Sequence, residues 1–330
     1  MIFLDKKEGA PFKILNLTDV QATAQELNGE NAKHTAIIRG TVRELIERTR
    51  PSLITLSGDQ SWCGAVEANH LIASLLDEYG IPYACAWGNH DQDGGLDKLD
   101  SVIEEYARHP LFTYENGPCE LGRGNYVIAI REGDRVVSAL IVMDTHDRVP
   151  YGESGSERMV WARPTEAQYE WYAEQITALK ALGCEDATIL THIPIHAYRL
   201  AWNEAYCGAD DYRTVTTEQS ASGECWREGY KSSFGVRGED ICAYPEDEHF
   251  FDVIRANGIV KNYLCGHDHV SSFSIEYQGV RLSYCLKTGP GCYWKPELNG
   301  GTLITVGESG VCDVHHEYVD PSKFIQGEDK

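Results

Sequence analysis

The chain has 330 residues, 42% of them hydrophobic and 24% charged, an ordinary composition for a soluble globular protein. Its formal net charge of −22 excludes nucleic acid and anionic membrane surfaces as natural partners, because both would repel it. Eleven cysteines without a C-x-x-C pair fit reduced thiols in a cytoplasmic protein; the start MIFLDKKEGAPFK does not read as a signal peptide, and no apolar run nears the ~20 residues of a membrane span.

In chain order, Lys13–Thr18 reads as a strand that delivers Asp19. Ala36, Ile37, Ile38, Val42, Leu45 and Ile46 fall at helical spacing and predict a helix over 31–49. A strand over Pro51–Ser57, a helix over Ala65–Tyr79 and a strand over Pro82–Trp87 follow, then a helix around 97–108. Asn125–Ile130 and Val136–Asp144 predict a hairpin turning at Glu132, Gly133 and Asp134. A helix over 165–182 leads into a strand at Ala187–Thr191, and a helix over 247–257 leads into Val260–Cys265. Phe273–Tyr277, Val280–Leu286, Gly301–Val306 and Val311–Tyr318 then read as an antiparallel run.

Between them, 197–246 shows no clear period and reads as an irregular insertion, a lid or substrate loop or else a surface elaboration. The chain is thus expected to form one domain over 1–320 with a loose tail at 321–330. Strand–helix alternation followed by antiparallel strands predicts an α/β fold of two face-to-face mixed sheets flanked by helices.

Five short motifs sit at the ends of apolar runs: Asp19-Val-Gln21, Gly58-Asp59, Gly88-Asn-His-Asp91, His192-Ile-Pro194 and Gly266-His-Asp-His269. Each alone is also common turn chemistry; together, at strand ends where α/β folds bind ligands, they point to one shared site. In extended backbone, i and i+2 share a face, so Asp19 with Gln21, and His267 with His269, can each face one ion. Asp59 can bridge two ions, Asn89 offers a carbonyl oxygen and His192 an imidazole. Hard oxygens mixed with imidazole suit manganese, iron or zinc, two divalent ions in all. Their charge, less that of Asp19, Asp59 and a hydroxide, leaves about +1 to attract phosphate within an acidic protein.

His90, beside the Asn89 ligand, is expected to bind phosphate or protonate the leaving oxygen, with Asp91 orienting its ring. Asn89 and His146 are further candidates for substrate contact. His196 and Arg163 are also able to reach the cleft.

These motifs resemble the calcineurin-like metallophosphoesterase superfamily, whose signature runs D-x-H, G-D, G-N-H-D/E, H and G-H-x-H. The wording around Gly88, His192 and Gly266 is most similar to a purple-acid-phosphatase-like subgroup. The resemblance spans Phe12 to about Tyr318 and implies a four-layer α/β/β/α fold. It implies one ion on Asp19, Gln21, Asp59 and His269, and another on Asp59, Asn89, His192 and His267. Gln21 stands where the family usually has His, which predicts a weaker first site leaning toward manganese or magnesium. Trp62 stands where purple acid phosphatases carry a Tyr, so a tyrosinate-to-iron colour is not expected.

The activity implied is hydrolysis of a phosphomonoester on a small substrate or a phosphoprotein. The alternatives are a phosphodiesterase or nucleotide hydrolase of the same superfamily and a non-catalytic pseudo-phosphatase scaffold.

Overall fold

The computed structural model describes residues 1–27, 29–154, 156–208, 211–247 and 249–325. Among the described residues there are fourteen strands and eight α-helices, and twelve of the strands form two large sheets with helices outside. The strands are β1 (Ile2–Asp5), β2 (Phe12–Leu17), β3 (Leu53–Ser57), β4 (Tyr83–Ala86), β5 (Tyr126–Glu132), β6 (Arg135–Val142), β7 (Arg148–Tyr151), β8 (Arg158–Trp161), β9 (Ala187–Leu190), β10 (Val260–Cys265), β11 (Ser274–Tyr277), β12 (Val280–Tyr284), β13 (Gly300–Val306) and β14 (Val311–Tyr318). The helices are α1 (Ala24–Leu27), α2 (Ala32–Thr49), α3 (Val66–Asp77), α4 (Leu96–Tyr106), α5 (Glu166–Ala181), α6 (Ala197–Ala205), α7 (Thr217–Ala221) and α8 (Phe250–Asn257).

One sheet has the order β1-β5-β6-β9-β10-β12-β11 and the other β14-β13-β2-β3-β4; β7 and β8 form a separate hairpin. The inner faces interdigitate through Ile14, Leu53, Ala84, Ile128, Leu140, Leu264 and Ile304, which makes a dry seam between the sheets. Strands buried on both faces read as continuous apolar runs, which is why β3 and β4 are buried throughout. Outside, α2, α3 and α4 cover the five-stranded sheet through Val42, Leu45, Ile72 and Leu99. Ile176, Leu179, Tyr198 and Phe250 of α5, α6 and α8 cover the seven-stranded one. The expected four-layer architecture is therefore present.

The structure departs from expectation in five places. The first residues form β1, which pairs in parallel with β5 at the sheet edge; four residues are too few for a periodic signal. The hairpin of β7 and β8 was hidden by its exposed Arg148, Pro150, Arg158 and Met159. The four late strands are not one antiparallel run: β11 and β12 extend the seven-stranded sheet, with β12 parallel to β10, whereas β13 and β14 belong to the other.

The segment 197–246 is not irregular at its start. Helix α6 buries Tyr198, Ala201, Trp202 and Ala205, a stripe at helical spacing, and Trp202 packs edge-on against Trp226. Residues 209 and 210 of this segment lie outside the described residues. Finally, Pro321–Phe324 forms a 3-10 turn with Pro321 buried, and Phe324 packs onto the α2 side of the core, so this part of 321–330 is not a loose tail. Residues 326–330 lie outside the described residues.

Candidate metal centre

Every motif ends a strand at the same edge of the two sheets. Asp19, Gln21, Asp59 and Asn89 follow β2, β3 and β4 of the five-stranded sheet. His192, His267 and His269 follow β9 and β10 of the other. The seam therefore closes on a cluster in which each of these seven side chains is buried.

The loops achieve this with unusual backbone. Asp19, Gln21, Asp59 and His267 all have positive φ, between 48° and 77°. Such conformations cost roughly 1–3 kcal/mol each outside glycine and collect at functional sites. They also correct the expectation of extended backbone at Asp19-Val-Gln21 and His267-Asp-His269: the pairs converge through left-handed turns, not through strand alternation. Backbone bonds lock the loops together, with the amide of Asp19 donating to Gly58 and that of Gln21 to Asp59. The motif glycines supply the room. A Cβ on Gly58 would lie 2.3 Å from His192 Nδ1, and one on Gly88 would lie 2.2 Å from Asp59 Oδ1.

Two overlapping sets of donors result. Asp19 Oδ1 is 3.4 Å from His269 Nε2, and ligating atoms of Asp19, Asp59 and His269 all lie within 4.8 Å of one another. His192 Nε2 is 3.1 Å from Asn89 Oδ1, 3.3 Å from Asp59 Oδ1 and 3.3 Å from His267 Nδ1. Asp59 belongs to both sets. His192 Nδ1 donates to the Ser57 carbonyl at 2.9 Å and His269 Nδ1 to that of Tyr293 at 3.0 Å, which leaves both Nε2 atoms facing the cluster.

Asp19 Oδ1 is buried without a hydrogen-bond partner. Burial alone would raise the pKa of Asp19, yet His269, His192 and Lys287 hold it well below the usual carboxylate range. Burial likewise pushes His192 down, but Asp59 and Asp19 hold it at about 10. Burial and His192 push His267 down to about 3, so here the carboxylates are offset by His192 and Lys287, charge that bound cations would replace. The donor set and the orphaned oxygen thus fit a pair of divalent ions.

Gln21 and Lys287 qualify that fit. Gln21 Nε2 donates to Asp59 Oδ2 at 3.2 Å, and its Oε1 accepts from Lys287 Nζ at 3.4 Å. The expected inward-facing amide oxygen is therefore turned onto a lysine. Lys287, 3% exposed, also donates to the Asp19 carbonyl, which places a buried ammonium beside the first donor set. The sequence marks the loop Lys287–Trp294 as a source of substrate specificity, but nothing in its pattern places Lys287 beside the metal ligands.

His90 lies at the rim, its amide donating to Asp59 Oδ1 at 2.8 Å and its ring stacked on Trp62 with centroids 4.2 Å apart. Its ring is not oriented by Asp91. Successive side chains diverge, and in the tight turn after Asn89 the residue three on returns to the same side, so His90 Nδ1 bonds Asp93 at 2.7 Å. Asp91 is fully buried and instead accepts from the amides of Ser61 and Gly88, tying two motif loops together. Burial and the neighbouring Asp59 push its pKa up to about 8.

His146 bonds Gln168 at 3.1 Å and lies 3.7 Å from Asp144, in a network beside the centre. Arg163 and His196 both turn to Tyr244, the first over its ring and the second onto its carbonyl. Two aromatic rings complete the rim: Trp161 of β8 meets His267 edge-on at 4.2 Å, and Tyr293, in the Lys287–Trp294 loop, stacks on His269 at 4.3 Å.

The family model for calcineurin-like phosphoesterases matches residues 12–271. The chain belongs to that family. Relatives of this calcineurin-like phosphoesterase include two proteins of Arabidopsis thaliana, probable inactive purple acid phosphatases 14 and 29. The first is 24% identical over 74% of the chain and the second 23% identical over 83%. The matches span 60% and 70% of those relatives' own lengths. Among solved structures, a dimetal phosphatase from Danio rerio superposes with a TM-score of 0.54 at 15% identity, covering 92% of this chain and 98% of that one, a likeness of fold.

Proposed function

We propose that this calcineurin-like phosphoesterase hydrolyses a phosphomonoester with two divalent ions, manganese, iron or zinc. One would be held by Asp19, Gln21, Asp59 and His269, and the other by Asp59, Asn89, His192 and His267. The observation that carries this is the convergence of seven buried donors from both sheets around one shared carboxylate. Bound ions would supply hydroxide near neutral pH and neutralise the phosphoryl oxygens. The protein's residues do the positioning. Ser57 and Tyr293 hold His192 and His269 in one tautomer, and the His90 amide fixes Asp59. Asp93 holds His90 Nδ1, which leaves Nε2 to bind a phosphate oxygen or protonate the leaving oxygen.

A non-catalytic scaffold is the second reading, favoured by the Lys287 ammonium against Gln21. The test is to strip the protein of metal, reload it with manganese, iron(II) or zinc, and assay aryl phosphate mono- and diesters. Metal-dependent monoester turnover that vanishes in Asp59→Asn is expected. Full metal load without turnover supports the scaffold, and preference for the diester supports a phosphodiesterase.

A further inference from the structure

A second group of ligand-type side chains lies outside this centre, where the end of α4 packs on α3. Glu105 Oε1 receives His70 Nδ1 at 2.7 Å and lies 3.7 Å from His109 Nε2. One ligating atom from each of the three residues can be chosen so that all lie within 4.8 Å of one another. The Glu105 and His109 side chains are only 9% and 10% exposed, whereas that of His70 is 49% exposed.

His109 sets this group apart from an ordinary ion pair. Its Nδ1 is 2.6 Å from Asp77 Oδ2, the last residue of α3, so the proton of the neutral ring sits on Nδ1. Its Nε2 then carries a lone pair, buried and without a hydrogen-bond partner, that faces a carboxylate oxygen. Lone pair against carboxylate is repulsive unless a second proton or a metal ion lies between them. The carboxylate–histidine arrangement behind it is the one that commonly supports a zinc-ligating imidazole. Glu105 is supported too, since its second oxygen accepts from Arg108 at 2.7 Å.

We propose that His70, Glu105 and His109 form a zinc site, with Asp77 as the outer partner of His109 and solvent completing the coordination on the open His70 side. Two imidazoles, one carboxylate and one open position suit zinc. His70 is exposed enough to swing out from its present bond to Glu105. The ion would staple α3 to the turn after α4, which leads through Phe112 back to β4.

The test is zinc content after dialysis against zinc chloride, with Asp59→Asn as the parent so that the candidate catalytic centre contributes least. The parent is expected to hold one equivalent more than its His70→Ala and His109→Ala derivatives, and to gain thermal stability with zinc that the derivatives do not gain. The same one-equivalent difference is expected in the wild-type background, whether or not the protein is a phosphatase. His70→Ala removes a half-exposed ring and leaves the fold intact by circular dichroism. Equal zinc contents in the parent and both derivatives overturn the proposal.

Discussion

At the rim of the centre, His90 is paired with Asp93 and stacked on Trp62, so substitutions there separate chemistry from positioning. His90→Ala should cost roughly 10²–10⁴-fold in rate with bound metal unchanged, and less with a good leaving group such as nitrophenolate. Asp93→Asn should cost about tenfold or more by loosening the ring. Steady-state rates beside metal analysis check both, and metal loss in His90→Ala would make His90 a ligand. Lys287 poses a different question. Its buried charge repels a cation beside Asp19 and Gln21, so Lys287→Met should tighten the weaker ion on the order of tenfold in a manganese titration. Unchanged affinity would show that the ammonium turns aside when the ion binds.

The candidate ligand positions were legible because acid, amide and imidazole side chains stood at strand ends, three of them (Asp59, Asn89 and His267) beside glycine. Asp93 and Lys287 were not, since one depends on the turn after Asn89 and the other on the segment after β12 bridging to Thr18.

Elements explain why those positions tolerate so little change. The loop after β4 must pass Asp59 so closely that a Cβ on Gly88 would meet the Asp59 amide at 2.4 Å. Gly88→Ala should therefore destabilise the protein by about 1–3 kcal/mol and weaken metal binding, read by thermal melts with and without manganese. Most helices and strands were legible from apolar period alone, including the hairpin of β5 and β6. Those that were not share a physical cause. β1, β7 and β8 have four residues each and lie at an edge or outside the main sheets, too short to give a periodic signal. The stripe of α6 was masked by the polar sequence that follows it. Trp161 of β8 nevertheless touches His267, so the hairpin that was hardest to see reaches the centre.

For the molecule as a whole, metal is expected to stabilise as well as activate. Two buried carboxylates in a chain of net charge −22, offset without metal by His192 and Lys287, gain further from bound divalent cations. Chelation should lower the melting temperature by several degrees, and manganese in excess of its dissociation constant should restore it. Asp59→Asn should remove most of the manganese response, since both donor sets share Asp59. A chelator-insensitive melt in the wild type would place the ions elsewhere.

The meeting of two sheets at the centre also fixes an order of events during folding. Asp19, Asp59 and Asn89 travel with one sheet, and His192, His267 and His269 with the other. Neither half alone carries a complete set of the proposed ligands. On the proposed ligand sets, a chain refolding from denaturant cannot capture its ions tightly until β10 has joined β9 and β13 has joined β2, pairings distant in sequence and therefore slow. Metal uptake in a stopped-flow refolding experiment would thus act as a clock for sheet docking. It should lag the gain of helical signal, and a truncation ending before β9 should fold, if at all, without acquiring the centre.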